Sequence, residues 1–250
     1  MERVQQIFLK ILGSAVKGEE IRALPELTPQ DADALFGLAK IHRVLPLVYH
    51  TVYAAPQLGD TAAIRSAVRR QVMLQTVKTA EFLELYERFR AEGIAPIVVK
   101  GMHCRALYPQ PDLRLSDDED ILIPPEAFEK AHRILTDFGM YTKDDFDIGG
   151  ELDYYRTGSA LYVELHRKLF AEDSDAYGDW NRFFEGAFDR AVEVNGVLSL
   201  CHTDHLLYLI CHAFKHFLHS GFGVRQVCDI VLYANAYGRE IDWERLYRNC

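Results

Sequence analysis

The chain has 250 residues, 49% of them hydrophobic and 26% charged, a globular balance that excludes a disordered polypeptide. Its formal net charge of −9 excludes a general binder of extended nucleic acid, although a local basic pocket remains compatible with it. No apolar run approaches the roughly 20 residues that span a bilayer, the N-terminus lacks a signal-peptide core, and the five cysteines (Cys104, Cys201, Cys211, Cys228, Cys250) form no C-x-x-C pair, so a soluble, cytoplasmic protein with reduced thiols and no membrane partner is expected.

Residues 1–92 read as an N-terminal helical region. Val4, Ile7, Phe8, Ile11 and Leu12 recur at helical spacing, and Thr28 or Asp31 is a cap for a second helix through Ala34, Leu35 and Leu38. The stretch from Thr61 to Glu92 holds no Pro or Gly and stops at Gly93, which predicts one long helix. Residues 93–200 read as a small α/β core. Ile94 to Val99 is a β-branched run, Met102 to Leu107 predicts one or two helical turns, and Ile121-Leu122-Ile123 is a second buried strand closed by Pro124-Pro125. A helix from Glu126 to Phe138 follows, then strands over 151–157 and 160–166 joined at Gly158-Ser159. From residue 201 the chain reads as helical again, with Thr203 as an N-cap for a helix to Leu218, then Val224 to Tyr237, then Trp243 onward. No stop signal closes the last stretch at Cys250, which suggests a chain cut short there. The expected fold class is α+β, a small mixed sheet flanked by helical regions.

The segment RLSDDEDILI, Arg114 to Ile123, carries the most chemistry. On a strand, Asp118 and Asp120 project from one face about 7 Å apart, a spacing suited to sharing Mg²⁺ (or Mn²⁺) between hard oxygen ligands and substrate phosphates. The bland alternative is a solvated acidic turn, which Asp117 and Glu119 favour. On a strand over residues 160–166, Tyr162, Glu164 and His166 share one face, so Glu164 is the candidate third carboxylate. Lys100-Gly101 ends a strand where a turn can expose backbone N–H groups and an ammonium to phosphate. Arg114 is either a triphosphate contact or a salt-bridge partner for the acidic run. His205, His212, His216 and His219 fall on roughly one helix face; His212 and His216 are expected to line the substrate cleft with His166, and a metal-dependent phosphohydrolase built on this face is a rival reading. No P-loop, G-x-G-x-x-G or G-x-S-x-G occurs.

Taken together, Val98-Val99-Lys100-Gly101, Leu107-Tyr108-Pro109, Arg114-x-x-x-Asp118-x-Asp120-Ile121-Leu122-Ile123 and Glu164-Leu165-His166 resemble the uncharacterised nucleotidyltransferase family of the DNA polymerase β-like superfamily. The helix with His212 and His216, Asp229 and Asp242-Trp243 are similar to that family too, and the resemblance covers roughly residues 35–250. It implies a mixed sheet with a two-metal site, in which Asp118 and Asp120 hold both Mg²⁺ ions and Glu164 is the third carboxylate. Lys100-Gly101 stands in place of the superfamily's Gly-Ser turn at the triphosphate. Glu119 stands where an apolar residue is usual, from which a less buried or re-registered strand is expected. The implied reaction moves a nucleoside monophosphate from an NTP such as ATP to a hydroxyl of a small molecule or protein. A catalytically silent module of the same fold is the alternative.

Overall fold

The structure, a computed structural model, describes residues 2–143, 151–172, 174–219, 221 and 223–249. Helix α1 (Arg3–Ala15) turns Ile7, Phe8, Ile11, Leu12 and Ala15 inward. In α2 (Pro29–Ile41) the Thr28 hydroxyl accepts the Asp31 N–H while the Asp31 carboxylate accepts the Thr28 N–H, and Pro29 takes the first helical position. Helix α3 (Leu45–Val52) and Val68 of α4 (Ala62–Ala91) complete one apolar cluster with them. The long helix is thus present over nearly the expected residues, and Gly93 at φ +73° ends it.

Among the described residues seven strands make one mixed sheet: β1 (Ile97–Val99), β2 (Glu119–Leu122), β3 (Met140–Tyr141), β4 (Glu151–Arg156), β5 (Tyr162–His166), β6 (Val192–Val194) and β7 (Val197–Ser199), ordered β3-β4-β5-β2-β1-β7-β6. β1 runs antiparallel to β2 and parallel to β7, and β2 runs parallel to β5. Between them lie α5 (Gly101–Arg105) and α6 (Phe128–Asp137), the latter preceded by a 3-10 turn at Pro125–Ala127. Strands β3, β6 and β7 are absent from the sequence expectation.

Alternation divides the sheet. Val98, Ile121, Ile123, Val163 and Leu165 pack under α4 and α6 with Phe82, Leu85, Phe89, Phe128 and Leu135. Ile97, Val99 and Leu122 face the other way, toward α7 (His202–His219), whose Leu206, Leu207 and Tyr208 join their cluster. Helices α8 (Val224–Tyr237) and α9 (Trp243–Asn249) pack outside α7. The helix expected to be capped by Thr203 begins at His202, which puts Thr203 inside its first turn, and the Thr203 hydroxyl accepts the Asp242 N–H at 2.9 Å. Cys104, Cys211 and Cys228 are buried thiols, Cys201 is half-buried and free, and Cys250 lies outside the described residues. No helix among the described residues is long and apolar enough to cross a membrane.

Candidate active site

The site is built on the turn that leaves β1. Lys100 has φ +46°, a conformation rare for a residue with a Cβ, and two contacts hold it there. Its backbone N–H donates to His205 Nε2 at 3.1 Å, and His205 Nδ1 lies 2.8 Å from Ser199 Oγ on β7. Burial, reinforced by the neighbouring His103 and His202, holds the His205 pKa well below its usual value, so the ring is neutral with its proton on Nδ1 and aimed at Ser199. Ser199 and His205 therefore lock the turn. The sequence signal for this lock was Asn195-Gly196, both at positive φ (53° and 79°), a two-residue hairpin turn between alternating apolar residues.

From this turn the Lys100 ammonium reaches Asp118 Oδ2 at 3.1 Å, Asp120 Oδ1 at 3.0 Å and His212 Nε2 at 3.2 Å. Asp118 lies one residue before β2, yet both aspartates converge as the period-2 spacing expects. Asp120 is paired in register with Glu164 on β5, which is paired with Asp153 on β4, giving a row of carboxylates across three strands. His166 Nε2 sits 3.4 Å from Asp120 Oδ1 and 3.5 Å from Glu164 Oε2, and its Nδ1 sits 3.3 Å from Glu151 Oε2. Burial opposes charge on Lys100, but Asp120 and Asp118 override it and keep the ammonium protonated. Burial also works against the Asp118 charge, which Lys100 nevertheless holds well below the usual carboxylate range, while burial and the Asp118 charge push Asp120 up against the opposing pull of Lys100. For His166, burial is outweighed by the adjacent Asp120 and Glu164 carboxylates, which raise it to about 9. Burial and the adjacent Lys100 charge keep His212 neutral.

These residues suit a divalent cation. Asp120, Glu164 and His166 each offer a donor atom, all within 4.8 Å of one another, and the buried Asp120 Oδ2 has no hydrogen-bond partner. The two carboxylates match Mg²⁺, and His166, which must give up its proton to ligate, matches Mn²⁺. None of the α7 histidines belongs to this group. Among the described residues the donors of this group lie on the sheet and none on the histidine helix.

Two of the expected residues also serve the fold. Arg114 forms a two-pronged ion pair with Asp229 (Nη2–Oδ2 2.6 Å, Nε–Oδ1 3.2 Å), to which the Tyr108 hydroxyl also donates at 2.8 Å, so its partner is on α8 and not in the acidic run. Gly101 is buried against Glu119, where a Cβ would collide with the Glu119 carboxylate. Glu119 does not loosen the strand. All four residues of β2 are buried, and Glu119 Oε1 takes Arg105 at 2.8 Å and Ser116 Oγ at 3.0 Å, with Lys78 at 3.6 Å. Ser116 is itself clamped by Gln75, Lys78 and Arg105, which fixes the chain just before Asp118.

A cavity of about 250 Å³ opens beside Lys100 and Asp118. His212, His216 and Arg114 line it, whereas His166 lies on the carboxylate row and outside this lining. His216 Nε2 is 3.3 Å from His212 Nε2, His219 is exposed against the Lys215 carbonyl, and His202 stacks on Tyr237 at 4.0 Å. Arg43 and Arg225, which also line the cavity, were not anticipated from the sequence.

A family model described as "Uncharacterised nucleotidyltransferase" matches residues 28–250. No curated protein matches the sequence. Among solved structures, the antibiotic-resistance factor ANT(2'')-Ia in solution is 12% identical with a TM-score of 0.49 over 70% of this chain and 90% of that one. The crystal structure of ANT(2'')-Ia in complex with adenylyl-2''-tobramycin is 13% identical with a TM-score of 0.49, over 70% and 97% respectively. An antigenic nucleotidyltransferase-like protein from Paracoccidioides brasiliensis is 16% identical with a TM-score of 0.41, over 70% and 84%.

Proposed function

As the chain belongs to the uncharacterised nucleotidyltransferase family, and is thus an enzyme of nucleotidyl transfer, we propose that it moves a nucleoside monophosphate from an NTP to a hydroxyl of a small-molecule or protein acceptor, with Asp118, Asp120 and Glu164 at the reaction centre. The observation that carries this reading is the register of Asp120 with Glu164, with Asp118 converging on the same ammonium. The net charge of −9 disfavours a long nucleic-acid acceptor.

In the reaction the acceptor oxygen bonds to the α-phosphorus as the bond to the bridging oxygen breaks in line, and pyrophosphate leaves. Asp120, Glu164 and His166, with Asp118 beside them, would hold the Mg²⁺ or Mn²⁺ of a two-metal scheme; bound there, the metal supplies neutralisation of charge on the reacting phosphate and leaving group. Lys100 would pair with the donor's phosphates. Glu164, more open than Asp120 (side-chain exposure 21% against 2%), is the carboxylate suited to receive the proton of the acceptor hydroxyl. Tyr155 and Tyr162, stacked at 5.0 Å on the same sheet face, offer an aromatic ledge on the acceptor's side of the carboxylates. The walls come from all three chain regions (1–92, 93–200 and 201–250), each of which we assign a part in enclosing the donor.

Thermal unfolding of wild type and Asp120→Ala with Mg²⁺ and each of the four NTPs tests the assignment. A ligand bound only by the folded state raises stability by about 2.7 kcal/mol at a hundredfold excess over Kd. The expected result is a shift for wild type that needs both Mg²⁺ and one or more NTPs and that Asp120→Ala loses. A shift that survives in Asp120→Ala, or none with any NTP, overturns it.

A further inference from the structure

We propose that Arg225 on α8, facing Lys100 across the cavity, forms a fixed anion site for the donor's β- and γ-phosphates. The inference rests on the nucleotidyl-transfer reading and deepens it by assigning the polyphosphate tail to helices outside the sheet.

Charge pairing around the cavity isolates Arg225. Of the cations that line it, Arg43 pairs with Asp117, Arg114 with Asp229 and Lys100 with Asp118. Arg225 has no carboxylate within ion-pair distance among the described residues; its Nη1 donates to the Leu115 carbonyl. Burial, then the neighbouring Arg114, lower its pKa below the usual arginine value, and the attraction of Asp229, Asp117 and Asp118 does not offset them. Arg225 is half-buried, and a partly desolvated charge with no paired carboxylate is one that an anionic ligand stabilises. A second group points the same way. Arg114, whose side chain is 3% exposed, uses Nε and Nη2 on Asp229 but leaves Nη1 buried without a partner. Both guanidiniums belong to one unit, because Arg225 and Asp229 are four residues apart on α8 and grip consecutive residues, Leu115 and Arg114, of the segment leading to Asp118.

Position identifies the ligand's chemistry. Lys100 and Asp118 belong both to the reaction centre and to this cavity, so an anion held by Arg225 extends from the α-phosphate. A planar guanidinium suits phosphate oxygens. The cavity's aspartates, Asp117, Asp118 and Asp229, are each paired with a cation of their own, and the neutral His212 adds no charge. The same chemistry is offered by a phosphate group on the acceptor, and the test separates the two sources.

The test is isothermal titration of the full chain with Mg²⁺ and, in turn, an α,β-methylene NTP, inorganic tripolyphosphate and the matching NMP. Arg225→Gln keeps a donor for the Leu115 carbonyl and removes the charge; Arg225→Lys restores the charge, and thermal unfolding confirms that each variant is folded. Arg225→Gln is expected to weaken the NTP analogue and tripolyphosphate by roughly tenfold to a hundredfold, as loss of a charged hydrogen bond does, to leave the NMP within about twofold, and to be partly rescued by Arg225→Lys. Unchanged NTP-analogue affinity in folded Arg225→Gln overturns the proposal while leaving the nucleotidyl-transfer reading intact. Weaker tripolyphosphate binding with unchanged NTP analogue overturns the donor assignment in favour of an acceptor phosphate. Wild type that binds no NTP analogue overturns both.

Discussion

The two faces of β2 carry acids of opposite character. Toward α4, Glu119 is fully buried and met by Arg105, Lys78 and Ser116, while Gly101 leaves room for its second oxygen. That oxygen, like Asp120 Oδ2, has no hydrogen-bond partner among the described residues, so the faces differ in their cations and not in this. Toward α7, Asp118 and Asp120 share one ammonium, Asp120 keeps a buried oxygen without a partner, and the open neighbours are Glu164 and a cavity. The same side-chain chemistry is structural where two cations and a hydroxyl answer one carboxylate, and available for a substrate where two cations, Lys100 and His166, answer three, Asp118, Asp120 and Glu164. The difference is one of residual charge, and residual negative charge in a cleft is what a metal–nucleotide complex requires.

This contrast breaks most visibly under mutation. Asp120→Ala should abolish nucleotidyl transfer, a loss of about a thousandfold or more as expected when a charge-stabilising group is removed from the transition state, while Lys100 keeps Asp118 and His166 keeps Glu164, so the protein stays folded. Glu119→Ala should act the other way round. It strands two buried cations and should cost about 3–5 kcal/mol of stability by urea unfolding, with the residual folded enzyme still active. If Glu119→Ala leaves stability unchanged, or Asp120→Ala leaves transfer intact, the division between the faces fails.

Much of this was legible because it depends on local period. Asp118, Asp120, Ile121-Leu122-Ile123 and Glu164 reach their faces through alternation alone, and the Thr28–Asp31 cap and the stop at Gly93 are local chemistry. What was hidden depends on partners distant in sequence. Nothing near Glu119 announces Lys78, and a lone glutamate in a strand reads as exposed until its cations are known. Arg114 pairs with Asp229, 115 residues away. The hairpin of β6 and β7 was readable from Asn195-Gly196, but each strand has only three residues, too few for periodicity to register, and the lock of Ser199 on His205 went with it.

The sealed histidines sharpen the comparison through pH. His103 on α5 meets His205 edge-on, ring centroids 5.4 Å apart, and burial lowers its pKa to about 4. Its folded form is neutral, whereas the unfolded chain takes up a proton below about 6.5. The stability it contributes is therefore complete above pH 6.5 and lost as pH falls toward 4, a gap worth about 3 kcal/mol. Urea midpoints at pH 7 and pH 4.5 should separate more in wild type than in His103→Gln. Equal separations would show that His103 is not held neutral by the fold.

The smallest effect belongs to the first acid of the run. Asp117 pairs with Arg43, but both side chains are about half exposed (52% and 56%), and water screens such a pair to about 0–1 kcal/mol. Asp117→Asn should thus leave the urea midpoint nearly unchanged, and added salt should erase what difference remains. Asp117 also borders the cavity, so losing its charge frees Arg43 beside the anion site that Arg225 defines. NTP-analogue binding should then tighten modestly, by less than about tenfold at low ionic strength, and the gain should vanish at high salt. A large stability loss in Asp117→Asn would mean that the pair is sealed like Glu119. Weaker binding would mean that Asp117 acts with Asp118 and Asp120. Four consecutive acids would then divide differently from the surface pair of Asp117, the Asp118 and Asp120 carboxylates that share Lys100, and the buried clamp of Glu119.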